Sequence, residues 1–123
     1  MTAHSVWSLF YALKKTESLK NYFQFRDVYN NKRAKADRFF VMFIRENGLD
    51  RNRLGISVSN KTGNSVVRHR LTRLIRESYR LHEDMFSSGL DMAVVVKSGA
   101  AECGYHEIES ALLHLAKLHN ILI

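Results

Sequence analysis

The 123-residue chain contains no proline and a single cysteine, Cys103. A lone cysteine excludes an intrachain disulfide and is typical of a reducing compartment, so a hydrophobic core must hold the fold. No apolar run is long enough to cross a bilayer. The apolar stretch near the start also lacks the basic residues that precede the core of a secretion signal. These absences predict a soluble, cytoplasmic protein with no membrane partner.

Carboxylates are also scarce, because twelve Asp and Glu residues stand against nineteen Lys and Arg, which gives a net charge of +7. This excess favours a polyanionic partner, either nucleic acid or an acidic membrane surface. With 46% hydrophobic residues and no recognisable linker, residues 1–123 are predicted to form one domain. For residues 1–15, a loosely attached helix and an extended arm both remain open.

Periodicity predicts the elements of the first half of the chain. A helix is expected over residues 18–30, with Ser18 as a candidate cap. Four of its side chains recur at helical spacing: Tyr22, Phe25, Val28 and Tyr29. A short basic edge strand is expected over 32–36. Residues 38–45 are apolar on both faces, which predicts a central strand covered on both sides.

The second half adds a strand near residues 54–58, a long helix, a buried strand over 91–97 and a final helix from Tyr105 to about Leu122. The predicted fold is α+β, a single-layer mixed sheet of about four strands packed with helices, in the order αβββαβα.

The long helix is the main feature of the sequence. Asn64 or Ser65 can cap it after the loop over residues 60–64. One side is apolar and carries Val67, Leu71, Leu74 and Ile75. Roughly the opposite side gathers Arg70, Arg73, Arg76 and Arg80, with Arg68 at the edge of the apolar side.

Most charged helix faces are simply solvated. Here, however, Glu77 is the only carboxylate between Arg68 and Arg80. The cations are nearly all arginine, whose planar guanidinium suits phosphate better than the point charge of lysine. The helix is therefore predicted to bind phosphate groups.

This segment resembles the signature of the bacterial ribonuclease P protein component family, a Lys-x-Gly-Asn-x-Val loop followed by Arg-Asn-Arg and Arg-Leu-Ile-Arg. The corresponding residues here are Lys61, Gly63, Asn64, Val66, Arg68, His69, Arg70, Arg73, Leu74, Ile75 and Arg76. His69 departs from the usual Asn. The resemblance covers about residues 19–118, and it implies an uncommon left-handed crossover between the strands that flank the helix.

The resemblance also implies a function. The chain would be the protein subunit of ribonuclease P, an endonuclease that removes the 5′ leader of precursor tRNA, in which Mg²⁺ is held mainly by the catalytic RNA. Its partners would be that RNA subunit and precursor tRNA, with no obligate protein partner. The residues implied for RNA-subunit binding are Lys61, Gly63, Asn64, Arg68, His69, Arg70, Arg73 and Arg76.

Aromatic residues supply the second implied surface. Phe25 and Tyr29 are one helical turn apart and share a side of their helix, and Phe43 lies on the following strand. In the family, equivalent aromatics line a cleft for the leader, and unpaired bases stack on such rings with little sequence preference. Lys61 and Arg68 are expected near the mouth of this cleft. An aromatic at helical spacing is more often a core residue. The resemblance, however, implies that these three rings are partly exposed.

No catalytic or metal site is expected in the protein itself. The six histidines show no paired ligand spacing, and no serine motif resembles a nucleophile elbow. Two alternatives remain: a general RNA-binding or ribosome-associated protein of similar fold, and a metal-dependent nuclease that acts without RNA.

Overall fold

The computed structural model describes residues 16–123. It contains a sheet of five strands in the order β1-β4-β5-β3-β2. The strands are β1 (Thr16–Ser18), β2 (Arg33–Ala36), β3 (Phe40–Glu46), β4 (Asn52–Val58) and β5 (Leu90–Val96). β4 runs parallel to β1 and β5, whereas β3 runs antiparallel to β5 and β2. The predicted α+β class is confirmed, and β1 is the strand that the sequence did not predict.

Within residues 16–123, three α-helices accompany the sheet: α1 (Tyr22–Asn30), α2 (Ser65–His82) and α3 (Tyr105–Leu118). The cap predicted at Ser18 is wrong, because Ser18 belongs to β1. Asn21 caps α1 instead, its side chain accepting a 3.0 Å hydrogen bond from the backbone N–H of Gln24. At α2, Asn64 accepts from the backbone N–H of Val67 at 3.0 Å, as one of the two predicted caps.

The final helix ends earlier than predicted. It stops at Leu118, whose side chain is 47% exposed. Asn120 follows with a φ of 59°, the left-handed conformation that commonly ends a helix. The chain then turns back, so that Ile121 is buried and Leu122 forms a bridge with Phe86. Ile121 and Leu122 therefore pack with the core from outside the helix, whereas Ile123 is exposed.

The two faces of the sheet differ in their cover. On one face, Phe40, Met42 and Ile44 of β3 are buried in the main core together with α2 and α3. On the other face, Phe43 packs in a smaller cluster with α1, and Val41 is half-buried. The predicted cover of β3 on both sides is thus complete on one face and partial on the other. This partial cover leaves part of a sheet face accessible.

The connection from β4 through α2 to β5 joins two strands that are parallel neighbours in the sheet. The sequence predicts this crossover, and its left-handed sense stays a prediction from the family resemblance. The expectations for residues 1–15 lie outside the described residues.

Asn52 ties three elements together at the start of β4. Its buried side chain donates to the carbonyl oxygen of Ser87 at 2.7 Å and accepts from the backbone N–H of Leu90 at 2.9 Å. The Tyr79 hydroxyl of α2 lies 3.4 Å from the same amide nitrogen. This single amide therefore fixes the turn before β5 against β4 and α2.

We predict that Asn52→Ala destabilises the fold by about 1–3 kcal/mol, because the buried N–H of Leu90 and the half-buried carbonyl of Ser87 lose their partner. Urea unfolding followed by circular dichroism measures the change. Asn30→Ala, at the exposed last residue of α1, is the matched control and should cost far less. Equal stabilities of the two variants would contradict this account.

Candidate nucleic-acid interface

Three aromatic side chains form a row between α1 and the sheet. The ring centroids of Phe25 and Tyr29 are 6.2 Å apart, and those of Tyr29 and Phe43 are 4.8 Å apart in an edge-to-face arrangement. All three side chains are half-buried, as expected for rings that contribute to packing and still reach solvent. They pack against a small buried cluster of Leu19, Val28 and Ala93. The structure therefore brings the three predicted aromatics together.

The floor beneath the row is made of small residues. Phe43 of β3 is paired with Ala93 of β5, which is paired in turn with Gly55 of β4. A Cβ atom added at Gly55 would lie 2.4 Å from Cζ of Phe25, well inside van der Waals contact. The ring of Phe25 thus occupies the space that a larger residue at position 55 would fill.

The next row across the same sheet face is only partly covered. It consists of Val41, Val95 and Ser57, which are paired in register and half-buried. Burial raises the pKa of the Tyr29 hydroxyl, and its hydrogen bond to Ser57 opposes this shift. Tyr29 therefore remains neutral at physiological pH and can donate a hydrogen bond. The row beside α1 forms the open floor of the cleft.

A charged cluster closes the opposite end of the aromatic row. Asp91 of β5 is fully buried and accepts two 2.7 Å hydrogen bonds from Arg53. Asn47 donates to it at 2.9 Å, and Arg45 approaches to 3.4 Å. Two arginines therefore contact one buried carboxylate at this end of the row.

The loop before α2 is shaped by Gly63 and Asn64. A Cβ atom at Gly63 would lie 2.9 Å from Cβ of Val67, so glycine lets the loop approach the first turn closely. Asn64 caps that turn. Lys61 is exposed. Among the loop residues predicted to contact RNA, Gly63 and Asn64 thus hold the geometry, and Lys61 presents the charge.

The cations of α2 spread over three sides of the helix. Arg73 is exposed, and the exposed His69 lines a recess with Arg68. Arg76 is half-buried, and its guanidinium lies 3.4 Å from the Ser18 hydroxyl of β1. Arg68 donates to the side chain of Asn60. These side chains form a broad cationic surface with the exposed Lys61.

Arg70 makes hydrogen bonds within the protein that the sequence did not predict. Its guanidinium donates to the backbone carbonyl of Cys103 at 2.7 Å and also to that of Ala101. It therefore ties α2 to the segment before α3, and two of its donors are not available to a phosphate. Arg80 is likewise paired with Glu77, at 2.6 Å. Fewer arginines of α2 are therefore directed to solvent than the sequence predicts. The position of a residue on a helix does not reveal its hydrogen-bond partners elsewhere in the fold.

Arg68 does not share a pocket with the aromatics. It lines a recess of about 250 Å³ with Ile56 and Val58, whose side chains belong to the main core. Gly55 and Ser57 alternate with these residues and face the aromatic side. The prediction that Arg68 stands at the mouth of the cleft is therefore wrong in this form: the two surfaces lie on opposite faces of the sheet.

Comparison with known proteins agrees with these features. The ribonuclease P family model matches residues 13–119. The chain belongs to the ribonuclease P protein family. A ribonuclease P protein component from Lachnoclostridium phytofermentans is 56% identical over 107 residues, which are 87% of this chain and 92% of that relative. Another from Alkaliphilus oremlandii is 39% identical over 110 residues, which are 89% of this chain and 96% of the relative.

Solved structures of the family share the fold. The ribonuclease P protein of Staphylococcus aureus superposes with a TM-score of 0.80 at 31% identity, over 86% of this chain and 97% of that one. That of Thermotoga maritima gives 0.76 at 27% identity, over 83% and 96%. The open sheet and its three helices are therefore a family architecture.

Metal-binding side chains do not cluster in the part of the chain that the structure describes. No group of three His, Cys, Asp or Glu residues there could hold a metal ion. His119, the residue that follows α3, is buried, and its Nε2 is hydrogen-bonded to the carbonyl of Met42 at 2.7 Å. None of the helices in residues 16–123 is long and apolar enough to span a membrane.

Sequence reasoning missed the residues that create the cleft. Gly55 and Ala93 become part of the site only because strand register places them side by side. It also missed the exposure of two aromatics at the start of α1. Tyr22 is 72% exposed and Phe23 is 60% exposed, although helical spacing grouped Tyr22 with the packed residues. Three aromatics within four residues, Tyr22, Phe23 and Phe25, cannot all face the sheet from one helix, and this spacing was the signal in the sequence for the exposure.

We predict that Gly55→Ala displaces the Phe25 ring and destabilises the fold by about 1–3 kcal/mol, as overpacking does. Thermal unfolding measures the cost, and the ring resonances of Phe25 in NMR spectra report the displacement. Gly99→Ala is the control, because its added Cβ would meet its nearest neighbour at 3.4 Å. Unchanged Phe25 resonances in Gly55→Ala would refute the close contact.

Proposed function

We propose that this chain is the protein subunit of ribonuclease P and assists the removal of the 5′ leader from precursor tRNA. In this proposal a catalytic RNA subunit carries out the endonucleolytic cleavage. The protein binds that RNA and the leader. Its enzymatic role belongs to the ribonucleoprotein, and the protein acts there as a binding subunit.

The observation that carries the proposal is the row of Phe25, Tyr29 and Phe43. Rings that are half-buried on a sheet face offer flat apolar surfaces to unpaired bases, each worth about 1–3 kcal/mol. Beside the rings, the half-buried residues Val41, Val95 and Ser57 leave space on the sheet for a single strand of RNA. The row requires no particular base, which suits leaders of many sequences.

The cationic surface of α2 supports the second contact. Arg73, His69 and Lys61 are exposed, and arginine binds phosphate oxygens through two donors at once. We assign RNA-subunit contacts to this surface, with Arg68 and Arg76 at its flank. Arg70 contributes its charge, while its hydrogen bonds hold α2 to the rest of the protein.

Magnesium is assigned to the RNA in this proposal. Mg²⁺ usually keeps several waters and is held through a few carboxylates together with phosphate groups. Such phosphates come from the RNA subunit and the substrate. The protein's positive surface would lower the repulsion between these two polyanions, which reduces the Mg²⁺ needed for their association.

The two surfaces predict different defects. Arg73→Ala should weaken binding of the RNA subunit and lower the slope of log affinity against log salt by about one, because one phosphate contact is lost. Phe25→Ala should instead weaken precursor binding to the assembled enzyme, while subunit affinity stays unchanged. Filter binding at several salt concentrations measures both.

Each variant has a matched control. Lys117→Ala removes one exposed charge from α3 and should leave the salt slope of subunit binding unchanged. Phe25→Leu keeps apolar volume at the sheet but loses the aromatic face, so it should reproduce the precursor defect. If Arg73→Ala and Phe25→Ala impair the same step equally, the division between surfaces is wrong.

Reconstitution with a bacterial ribonuclease P RNA tests the function as a whole. The proposal requires leader removal at low Mg²⁺ and tighter binding of precursor tRNA than of mature tRNA. Equal binding of both tRNAs would favour a general RNA-binding protein of the same fold. Cleavage of the precursor by protein and Mg²⁺ alone would favour an independent nuclease.

A further inference from the structure

Two aromatic side chains at the start of α1 are exposed without contributing to the core. Tyr22 is 72% exposed and Phe23 is 60% exposed. Their ring centroids are 5.6 Å apart, and their planes meet at 75°. Large apolar surfaces exposed side by side in this way are typical of binding sites.

The position of Tyr22 links this pair to the aromatic row. Tyr22, Phe25 and Tyr29 are spaced three and four residues apart, so they lie along one side of α1. At 1.5 Å of rise per residue, Tyr22 stands about 4.5 Å beyond Phe25 along the helix axis. Successive unpaired bases can follow rings at this spacing.

Phe23 is oriented for a supporting role. It lies about 200° around the helix from Phe25 and therefore faces away from the sheet. The guanidinium of Arg26 lies over its ring at 4.9 Å, and Arg26 is also within 3.3 Å of Asp27. Phe23 is thus the edge-to-face partner of Tyr22, and it holds the guanidinium of Arg26 against its own ring.

We propose that Tyr22, Phe23 and Arg26 form an additional stacking station for unpaired RNA, which extends the leader cleft past the N-terminal end of α1. This inference rests on the proposed function. Tyr22 offers the ring face, Phe23 keeps that ring upright, and Arg26 neutralises the adjoining phosphate. Continuity with the aromatic row and the neighbouring cation favour a single-stranded polyanion over an apolar protein partner.

The test uses the reconstituted enzyme and two precursor tRNAs. One carries a short leader that reaches only the row of Phe25, Tyr29 and Phe43, and the other carries a leader long enough to pass Tyr22. The double variant Tyr22→Ala, Phe23→Ala should lose at least about fivefold in affinity for the long leader, the lower end of base–aromatic stacking. Its affinity for the short leader should match that of wild type.

Replacement of single leader bases by abasic sites locates the contact. One abasic position should weaken wild-type binding and have no further effect in the double variant. Tyr22→Phe keeps the ring and should bind like wild type. Leu118→Ala, which truncates an exposed apolar residue on α3, controls for loss of surface area and should leave both leaders unaffected.

The outcomes separate this inference from the proposed function. If wild type prefers precursor over mature tRNA but the double variant keeps its full gain from the longer leader, the additional station is refuted and the function stands. If wild type shows no such preference, the function itself fails. A wild-type dimer that the double variant abolishes, with leader affinity unchanged, would assign the aromatic pair to a protein contact and overturn the inference.

Discussion

The candidate site depends on two small residues in the sheet beneath it, which leave space for an aromatic ring. Gly55 and Ala93 are neighbours across the parallel pairing of β4 with β5, and Phe43 completes the row from β3. Because these two residues are small, the ring of Phe25 can lie against the strands and α1 can sit close to the sheet. A sheet with larger residues there would push α1 outward and separate the rings. Strand register therefore determines the geometry of the aromatic row.

The arginines of α2 divide between holding the fold and facing solvent. Arg70 and Arg80 are bound to groups of the chain itself, two backbone carbonyls and the carboxylate of Glu77. The contacts of Arg70 keep a strongly charged helix attached to a protein with few carboxylates, since hydrogen bonds to carbonyls require no counter-charge, whereas the pair of Arg80 with Glu77 lies within α2. The positive charge of Arg70 remains. The helix thus contributes to the electrostatic field through all its arginines but exposes only some of them to solvent.

The sequence was sufficient for features that depend on local patterns. The strand β3, the apolar face of α2 and a cap at Asn64 or Ser65 all follow from neighbouring residues, and the structure has the strand, the apolar face and the cap at Asn64. Features that depend on distant partners were missed. The contact of Arg70 with Cys103 spans 33 positions, and the pairing of Gly55 with Ala93 requires knowledge of register. The start of α1 was misplaced because a serine and an asparagine are both good caps, and only the formation of β1 decides between them.

The two surfaces approach each other at the edge of β4. On its outer side β4 pairs with β1 only from Asn52 to Leu54, so residues 56–58 have no further strand partner within residues 16–123. The side chain of Ser57 faces the aromatic side there, whereas Ile56 and Val58 face the side of Arg68. The backbone groups at this edge of β4 therefore lie between the aromatic row and Arg68. Since β4 continues directly into the loop and the cap of α2, its pairing with β5 fixes both surfaces relative to one another. Under the proposed function, opposite faces of one sheet would contact the RNA subunit and the precursor.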